Sequence, residues 1–227
     1  GLADAVARRG GEMRFGEAVS ELSANGKATW VATEVDRQVY DGVVVCAGVA
    51  SRYLAAQLGD RLNVYPVKGY SITVNLEDEA SRQAAPQVSL LDDETKLVSS
   101  RLGPERFRVA GTAEFNGYNR DIRNDRTRPI VDWVEQCFPG VETRQVVPWD
   151  GLRPMMPNMM PRVGEGRRPG VFYNTGHGHL GWTLSAITAE QIAQQVAHAR
   201  VEAPISAPTV SGFNHHGDGD TRTRSGA

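Results

Sequence analysis

The chain has 227 residues, of which 25 are basic and 27 acidic, giving a formal net charge of −2; 40% are hydrophobic and 23% charged. That is the mixture of an ordinary globular protein, long enough to bury a core without staples, and it lacks the basic footprint of a nucleic-acid or anionic-membrane binder. Two cysteines, Cys46 and Cys137, cannot build a disulfide framework or a metal cluster alone, so a reducing compartment is expected.

The chain opens on Gly1 without methionine or a signal-peptide pattern, as a piece cut from a longer protein would. Residues 2–9 are alanine-rich and predict a helix stopped by Gly10-Gly11. Asn25-Gly26 predicts a hairpin turn between strands at 18–22 and 29–33. The VVVCAG run at 43–48 has the pattern of a strand buried on both faces in a parallel sheet, with a helix at 51–58 after it. The apolar stretch there, 43–50, is far short of the roughly 20 residues a transmembrane segment needs.

Ile72, Val74 and Leu76 alternate with polar neighbours, as in a half-buried antiparallel strand. Residues 97–101 and 107–112 predict a second hairpin about Gly103-Pro104-Glu105. Asn124 or Asp125 is placed to cap a helix carrying Ile130, Val134, Cys137 and Phe138 on one face, ended by Pro139-Gly140. A proline-rich passage at 148–169 leads to a strand at 170–175 and the turn GHGHLGW at 176–182. A last helix follows with Leu184, Ile187, Ile192 and Val196. The composition beyond Pro204 predicts a disordered tail. The expected fold class is mixed: α/β segments at both ends and an α+β insert of antiparallel strands between them.

Three places carry chemistry. Ala47 and Gly48 end the apolar strand with small residues, which lets a ligand approach the crevice at a sheet's carboxyl edge, although chain reversal is the commoner use of such a glycine. GHGHLGW sets three glycines within six residues ahead of a helix, leaving bare amide donors for an anion or an electron-rich ring edge. The bland alternative is a turn with His177 and His179 at the surface or core edge; as a metal pair they lack partners at suitable spacing. Arg153, in GLRP, offers a planar fork for a carboxylate, or else is a structural arginine paired with Asp150 or Glu142. Met155, Met156, Met159 and Met160 read as adaptable lining or as filler in an irregular loop. The acidic run at 92–94 and the arginines Arg120, Arg123, Arg126 and Arg128, interleaved with acids, read as solvated surface. There is no GxSxG elbow, Cys–His pairing or carboxylate pair.

Taken in order, VVVCAG, PVKGYSIT (66–73), RLG, RVAGTAE (108–114), FPG, WDGLRP (149–154) and GHGHLGW resemble the C-terminal portion of bacterial D-amino acid dehydrogenase small subunits. Those belong to the FAD-dependent D-amino acid oxidase-like family, and the likeness spans about residues 10–198. The resemblance implies a partial FAD-binding Rossmann-like domain at 1–61, a substrate-binding α+β domain with an antiparallel sheet at 62–147, a return to the FAD-binding domain at 148–200, and a disordered tail at 201–227. It implies FAD held by Ala47, Gly48, Gly176, His177, Gly178, Leu180, Gly181, Trp182 and Thr183, and a D-amino acid substrate bound by Arg153 and Tyr70. The implied reaction is oxidative deamination, with hydride passing from Cα to the flavin and the imino acid hydrolysing to 2-oxo acid and ammonia. Positioning then replaces acid–base chemistry.

The same resemblance implies a respiratory electron acceptor and a cytoplasmic chain lying peripherally on the inner membrane, though the sequence shows no basic amphipathic helix. The family's fingerprint, GxGxxG after an N-terminal strand with an acidic residue further on, is absent; GHGHLG at 176–181 lies at the wrong end and does not substitute for it. Two expectations therefore stand side by side. In one the chain is part of a flavoenzyme whose N-terminal half or partner chain supplies the fingerprint; in the other it is a non-catalytic remnant or binding module without flavin. Pro157-Asn158-Met159 stands where relatives carry Pro-Asp-Gly, His179 where they carry a small hydroxyl residue, and Ile187-Thr188 where they carry a Gly-Ser-like pair.

Overall fold

The computed structural model describes residues 1–26 and 28–202. Helix α1 (Leu2–Arg8) buries no side chain. Strands β1 (Val19–Ala24), β2 (Thr29–Thr33) and β3 (Arg37–Tyr40) form an antiparallel meander. The hairpin lies at Asn25-Gly26 as predicted, with Gly26 at φ +86° and the Ala28 amide donating to Asn25 Oδ1.

β4 (Val43–Val45) is half the length of the apolar run, because Gly48 at φ +56° turns the chain into a 3₁₀ turn (Gly48–Ala50) and α2 (Ser51–Gln57). Nor is it buried on both faces. It pairs with a single strand, and while Val45 is buried, Val44 on the other face is 38% exposed.

β5 (Tyr65–Asn75) is the middle of a five-stranded antiparallel sheet ordered β6-β7-β8-β5-β9. Its companions are β6 (Leu90–Asp92), β7 (Leu97–Arg101), β8 (Arg106–Glu114) and β9 (Val146–Met155), with α3 (Glu79–Ala84) between β5 and β6. Flanked on both sides, β5 is buried almost throughout and is not the half-exposed strand its alternation predicts. One face of this sheet is core. Tyr70, Ile72, Val74, Phe107 and Val109 pack on Ile130, Val131 and Val134 of α4 (Asn124–Cys137). The α4 cap is Arg123, whose carbonyl accepts from Thr127 Oγ1, and neither Asn124 nor Asp125 caps the helix. Cys137 is exposed and leaves the predicted apolar stripe; Phe138 stays, edge-on to Phe107 and Trp133.

β9 moves a predicted boundary. Residues 148–155 are the edge strand of the five-stranded sheet, so the return to the parallel unit begins after Met155 and not at 148. An edge strand tolerates Pro148 and Pro154 because half of its amides need no ladder partner. At the other crossing, Leu62 and Val64 pack with Val45, Leu58, Val171 and Tyr173 in a second core, so the sheet unit starts nearer Tyr65 than 62.

β10 (Arg162–Glu165) runs antiparallel to β11 (Val171–Thr175), which runs parallel to β4. α5 (Gly181–Glu202) covers β10 and β11 with Leu184, Thr188, Ile192 and Val196, a stripe of i,i+4 spacing. Ile187 falls off that stripe and is 48% exposed, contrary to expectation. Of the predicted tail, residues 201–202 continue α5 and the rest lies outside the described residues. Among the described residues no helix is long and apolar enough to cross a membrane.

Candidate active site

β4 and β11 run parallel in register, Val45 opposite Tyr173, so their carboxyl ends open together. Such an opening is where sheet folds of this kind take ligands. Ala47 is exposed there, and no atom lies within 4 Å of where a Cβ on Gly48 would sit. Thr175 Oγ1 donates to the Gly48 carbonyl at 3.2 Å and lies 2.8 Å from the buried Ser51 hydroxyl, locking the two strand ends together. Neither Ser51 nor Thr175 was singled out by the sequence; single hydroxyls carry no pattern.

The turn after β11 folds onto the end of β9. The Gly178 amide donates to the Pro154 carbonyl at 2.9 Å, and Met155 bridges His177. Its glycines are required twice over. Gly176 and Gly178 have φ +80° and +59°, and a Cβ on either would lie 2.6 Å from Met156 Cγ or Met155 Sδ respectively. The methionine group thus divides: Met155 and Met156 pack this turn, and Met159 and Met160 are exposed. His177 directs its side chain away from the crevice, with Nε2 3.2 Å from Thr188 Oγ1, and burial pushes its pKa below the ordinary value. It can offer a ligand only its backbone. His179, Leu180 and Trp182 are exposed. The amides of Gly181, Trp182 and Thr183 open α5 and have no intrahelical acceptor. No group of His, Cys, Asp and Glu suited to a metal occurs among the described residues. Bare backbone at paired strand ends beside a helix N-terminus fits a dinucleotide cofactor.

Arg153 lies next to this turn, on the sheet face opposite α4. Gly69 of β5 and Gly151 of β9 are directly paired. The Arg153 guanidinium lies flat over the first, where a Cβ would come within 2.2–2.3 Å of Nη2, Cζ and Nη1. The Trp149 ring lies over the second, with Cη2 2.2 Å from a would-be Cβ. Arg153 donates from Nη1 to the Thr112 carbonyl at 2.9 Å and from Nη2 to the Gly111 carbonyl at 3.3 Å. Neither structural partner considered from the sequence is used: Asp150 pairs with Arg120 at 2.7 Å and Glu142 with Arg144 at 3.0 Å. No carboxylate among the described residues pairs with this half-buried cation. Burial, then the nearby charge of Arg108, push its pKa down, yet a guanidinium remains charged.

Tyr70 is not part of this site. Adjacent to Gly69 in an alternating strand, it points to the α4 side, is 1% exposed, and donates its hydroxyl to Glu114 Oε2 at 2.7 Å. Glu114 also takes Arg123 at 3.0 Å, with Arg126 and Lys68 at 3.7 and 3.9 Å. Lys68, fully buried, donates to Asn119 Oδ1 and the Asp121 carbonyl. It went unnoticed in the sequence, although a lysine in the inward register of an apolar strand was the available signal.

A strand-end crevice is thus joined to an antiparallel sheet that presents Arg153 without a carboxylate partner among the described residues. The chain belongs to the FAD dependent oxidoreductase family, whose pattern matches residues 1–195. It is similar to D-amino acid dehydrogenase 3 of Mesorhizobium japonicum, 58% identical over 210 residues that cover 91% of this chain and 50% of that protein. The D-amino acid dehydrogenase of Dechloromonas aromatica is 40% identical over 209 residues, 88% of this chain and 49% of that protein. The chain therefore spans about half the length of the curated relatives it matches. Among solved structures, glycine oxidase from Geobacillus kaustophilus superposes with a TM-score of 0.77 at 23% identity, covering 87% of this chain and 52% of that one. Iminodiacetate oxidase from Chelativorans sp. BNC1 gives 0.75 at 21%, covering 91% and 55%. The expected fold, a partial FAD-binding domain with an antiparallel substrate sheet, is borne out.

Proposed function

We propose that this chain forms the substrate sheet and the C-terminal part of the FAD site in an enzyme that oxidatively deaminates D-amino acids, the activity in the names of its relatives. The observation that carries the reading is Arg153, a half-buried guanidinium without a carboxylate partner, set beside the glycine-rich turn. Arg153 takes the substrate carboxylate by charge-assisted hydrogen bonds, and Trp149 beside it forms a flat apolar wall. FAD is held at Ala47, Gly48, Gly176, Gly178 and the opening amides of α5 at Gly181, Trp182 and Thr183, with Leu180 at the rim and His177 acting through its backbone. When bound, FAD supplies the acceptor for a hydride from Cα. The chain's residues orient the amino acid and exclude water.

The family's fingerprint, GxGxxG after an N-terminal strand, is not in this sequence, and GHGHLG at 176–181 has that spacing at the other end of the chain, so a further polypeptide segment supplies the cradle for the pyrophosphate. Two unpaired, exposed cysteines suit a cytoplasmic setting, and delivery of electrons to a respiratory acceptor would place the protein at the inner-membrane surface. The test is spectroscopic. The chain combined with a fingerprint-bearing segment is expected to show a flavin spectrum that bleaches when a D-amino acid is added without oxygen. Bleaching should disappear in Arg153→Gln. A colourless complex that takes up no FAD refutes the reading and leaves a non-catalytic binding module.

A further inference from the structure

We propose that Thr112 is a positioning residue for the substrate: a β-bulge at this residue turns two successive carbonyls onto Arg153 and so fixes the plane of its guanidinium. The inference rests on the reading that Arg153 holds the substrate carboxylate. β8 keeps step with β5 as far as Gly111 opposite Tyr70, and the next pair is Glu114 with Lys68. Three steps along β8 thus match two along β5, which leaves an extra residue in β8, a β-bulge. Thr112 lies in it with φ +58°. That is the left-handed region, which a β-branched residue avoids. Among the described residues, Lys96 and Met159 share such a φ, and both lie in connections between strands. Thr112 takes it inside a strand, so its surroundings must hold it there.

The gain lies in where the carbonyls point. Along a regular strand successive carbonyls face opposite neighbours, so two in a row do not converge. At the bulge they do: the Thr112 carbonyl accepts from Arg153 Nη1 at 2.9 Å, and the Gly111 carbonyl accepts from Nη2 at 3.3 Å. The Thr112 hydroxyl meets the demand of the neighbouring strand, with Oγ1 accepting from the Tyr70 amide at 3.2 Å. Both flanks of the bulge are pinned. Gly111 has no room for a side chain, since Leu97 Cδ2 fills the place of a Cβ. Glu114 accepts from the Tyr70 hydroxyl at 2.7 Å and pairs with Arg123 at 3.0 Å. Arg153 therefore spends a donor from each terminal nitrogen on a rigid seat and holds the rest of its fork in a fixed plane for a carboxylate. Gly69 sets the height of the guanidinium over the sheet, and Thr112 sets its rotation. Thr112 acts through Arg153 and needs no contact with the substrate.

The test uses the FAD-loaded complex and pivalate, a carboxylate with a methyl where a substrate carries its amine. Binding is read from flavin difference spectra and stability from the melting temperature. Thr112→Val keeps the shape and removes the acceptor. Thr112→Gly removes the acceptor and takes the left-handed φ without strain, so the fold survives. Each should weaken pivalate about tenfold, the loss of roughly one charge-assisted hydrogen bond, and Thr112→Gly should do so with little change in melting temperature. Thr112→Ser, which keeps the hydroxyl, should bind within about twofold of wild type. On an Arg153→Gln background, Thr112→Gly should lower the remaining affinity no further. Wild-type affinity in Thr112→Val or Thr112→Gly, a loss that Thr112→Ser shares, or a loss that persists on the Arg153→Gln background overturns the inference and leaves Arg153 standing. Unchanged pivalate binding in Arg153→Gln overturns the Arg153 reading itself.

Discussion

Gly69→Ala separates the Arg153 site from the stability of the sheet. Gly69 does not have a left-handed φ, so its backbone accepts alanine without strain. The new methyl, however, would meet Nη2, Cζ and Nη1 of Arg153 at 2.2–2.3 Å. The far end of a flexible side chain yields, and the guanidinium lifts off the sheet, losing its bonds to the Thr112 and Gly111 carbonyls. Each bond to a charged donor is worth about 1.5–3 kcal/mol. Thr112 is half-buried, so water can replace part of that at its carbonyl, and removing a glycine from the unfolded chain returns about 0.4–1 kcal/mol. The net destabilisation should be on the order of 1–2 kcal/mol, with the fold intact. Carboxylate affinity should suffer much more: a displaced fork loses about 3 kcal/mol, roughly a hundredfold in Kd. Pivalate titrations followed by flavin difference spectra measure this directly. Gly69→Ala and Arg153→Gln should each abolish most binding, and the double variant should be no worse than Arg153→Gln. Additive losses, or normal binding in Gly69→Ala, would refute the claim that the glycine exists to seat Arg153.

Three further outcomes follow from local structure. Met159 occupies φ +60° and is 56% exposed, so Met159→Gly should stabilise by about 1 kcal/mol, a rise in Tm of about 2–4 °C by calorimetry. Asp92 accepts from Trp133 Nε1 and then from the Thr95 hydroxyl and amide, which lowers its pKa from 3.8 to about 2. Its contribution is therefore complete above 3.8 and lost as the pH falls towards 2, so the melting temperature of Asp92→Asn should drop less steeply than wild type across that window. Lys68→Met strips the ammonium from a fully buried site beside Glu114 and takes the short hydrogen bond from the Asp121 carbonyl; denaturant melts should show a loss of about 3 kcal/mol or more.

What the sequence made legible was local or carried by several linked motifs. The Asn25-Gly26 hairpin, the hairpin about Gly103-Pro104-Glu105 and the strand–turn–helix at 170–182 depend on residues within a few positions of one another. The errors share one cause, which is that burial and sheet position depend on distant partners. The alternation of Ile72, Val74 and Leu76 reads as one wet face, and only the pairing of β5 with both β8 and β9 dries the other. Prolines at 148 and 154 read only as the start of a proline-rich passage, because their place on a sheet edge is a property of topology. Tyr70 shares a motif with Gly69, but a pleated strand sends neighbours to opposite faces, so proximity in sequence misplaced it. Arg153 was visible as a residue type; its lack of a carboxylate partner was not, since that depends on Asp150 and Glu142 being claimed by Arg120 and Arg144.

The join between the two sheets explains how an arginine on one can serve a cofactor crevice on the other. Pro154 follows Arg153 directly, and its carbonyl is the acceptor for Gly178 at 2.9 Å, so the carboxylate anchor and the crevice turn share one backbone contact. Displacement of a reacting group by about 1 Å costs on the order of a hundredfold in rate, and a join this short leaves little slack. The turn is held from behind by the His177 contact with Thr188 and from below by Met155 and Met156. Burial keeps the His177 pKa below its ordinary 6.5, so the stability of the neutral ring is complete above that value and is lost as the pH falls through the lower folded value. Acid therefore loosens the very turn that sets the distance between Arg153 and the crevice. Met159 and Ile187 lie outside this join, one in an exposed turn and the other on the exposed side of α5, whereas Thr188 supplies the hydroxyl that the join requires.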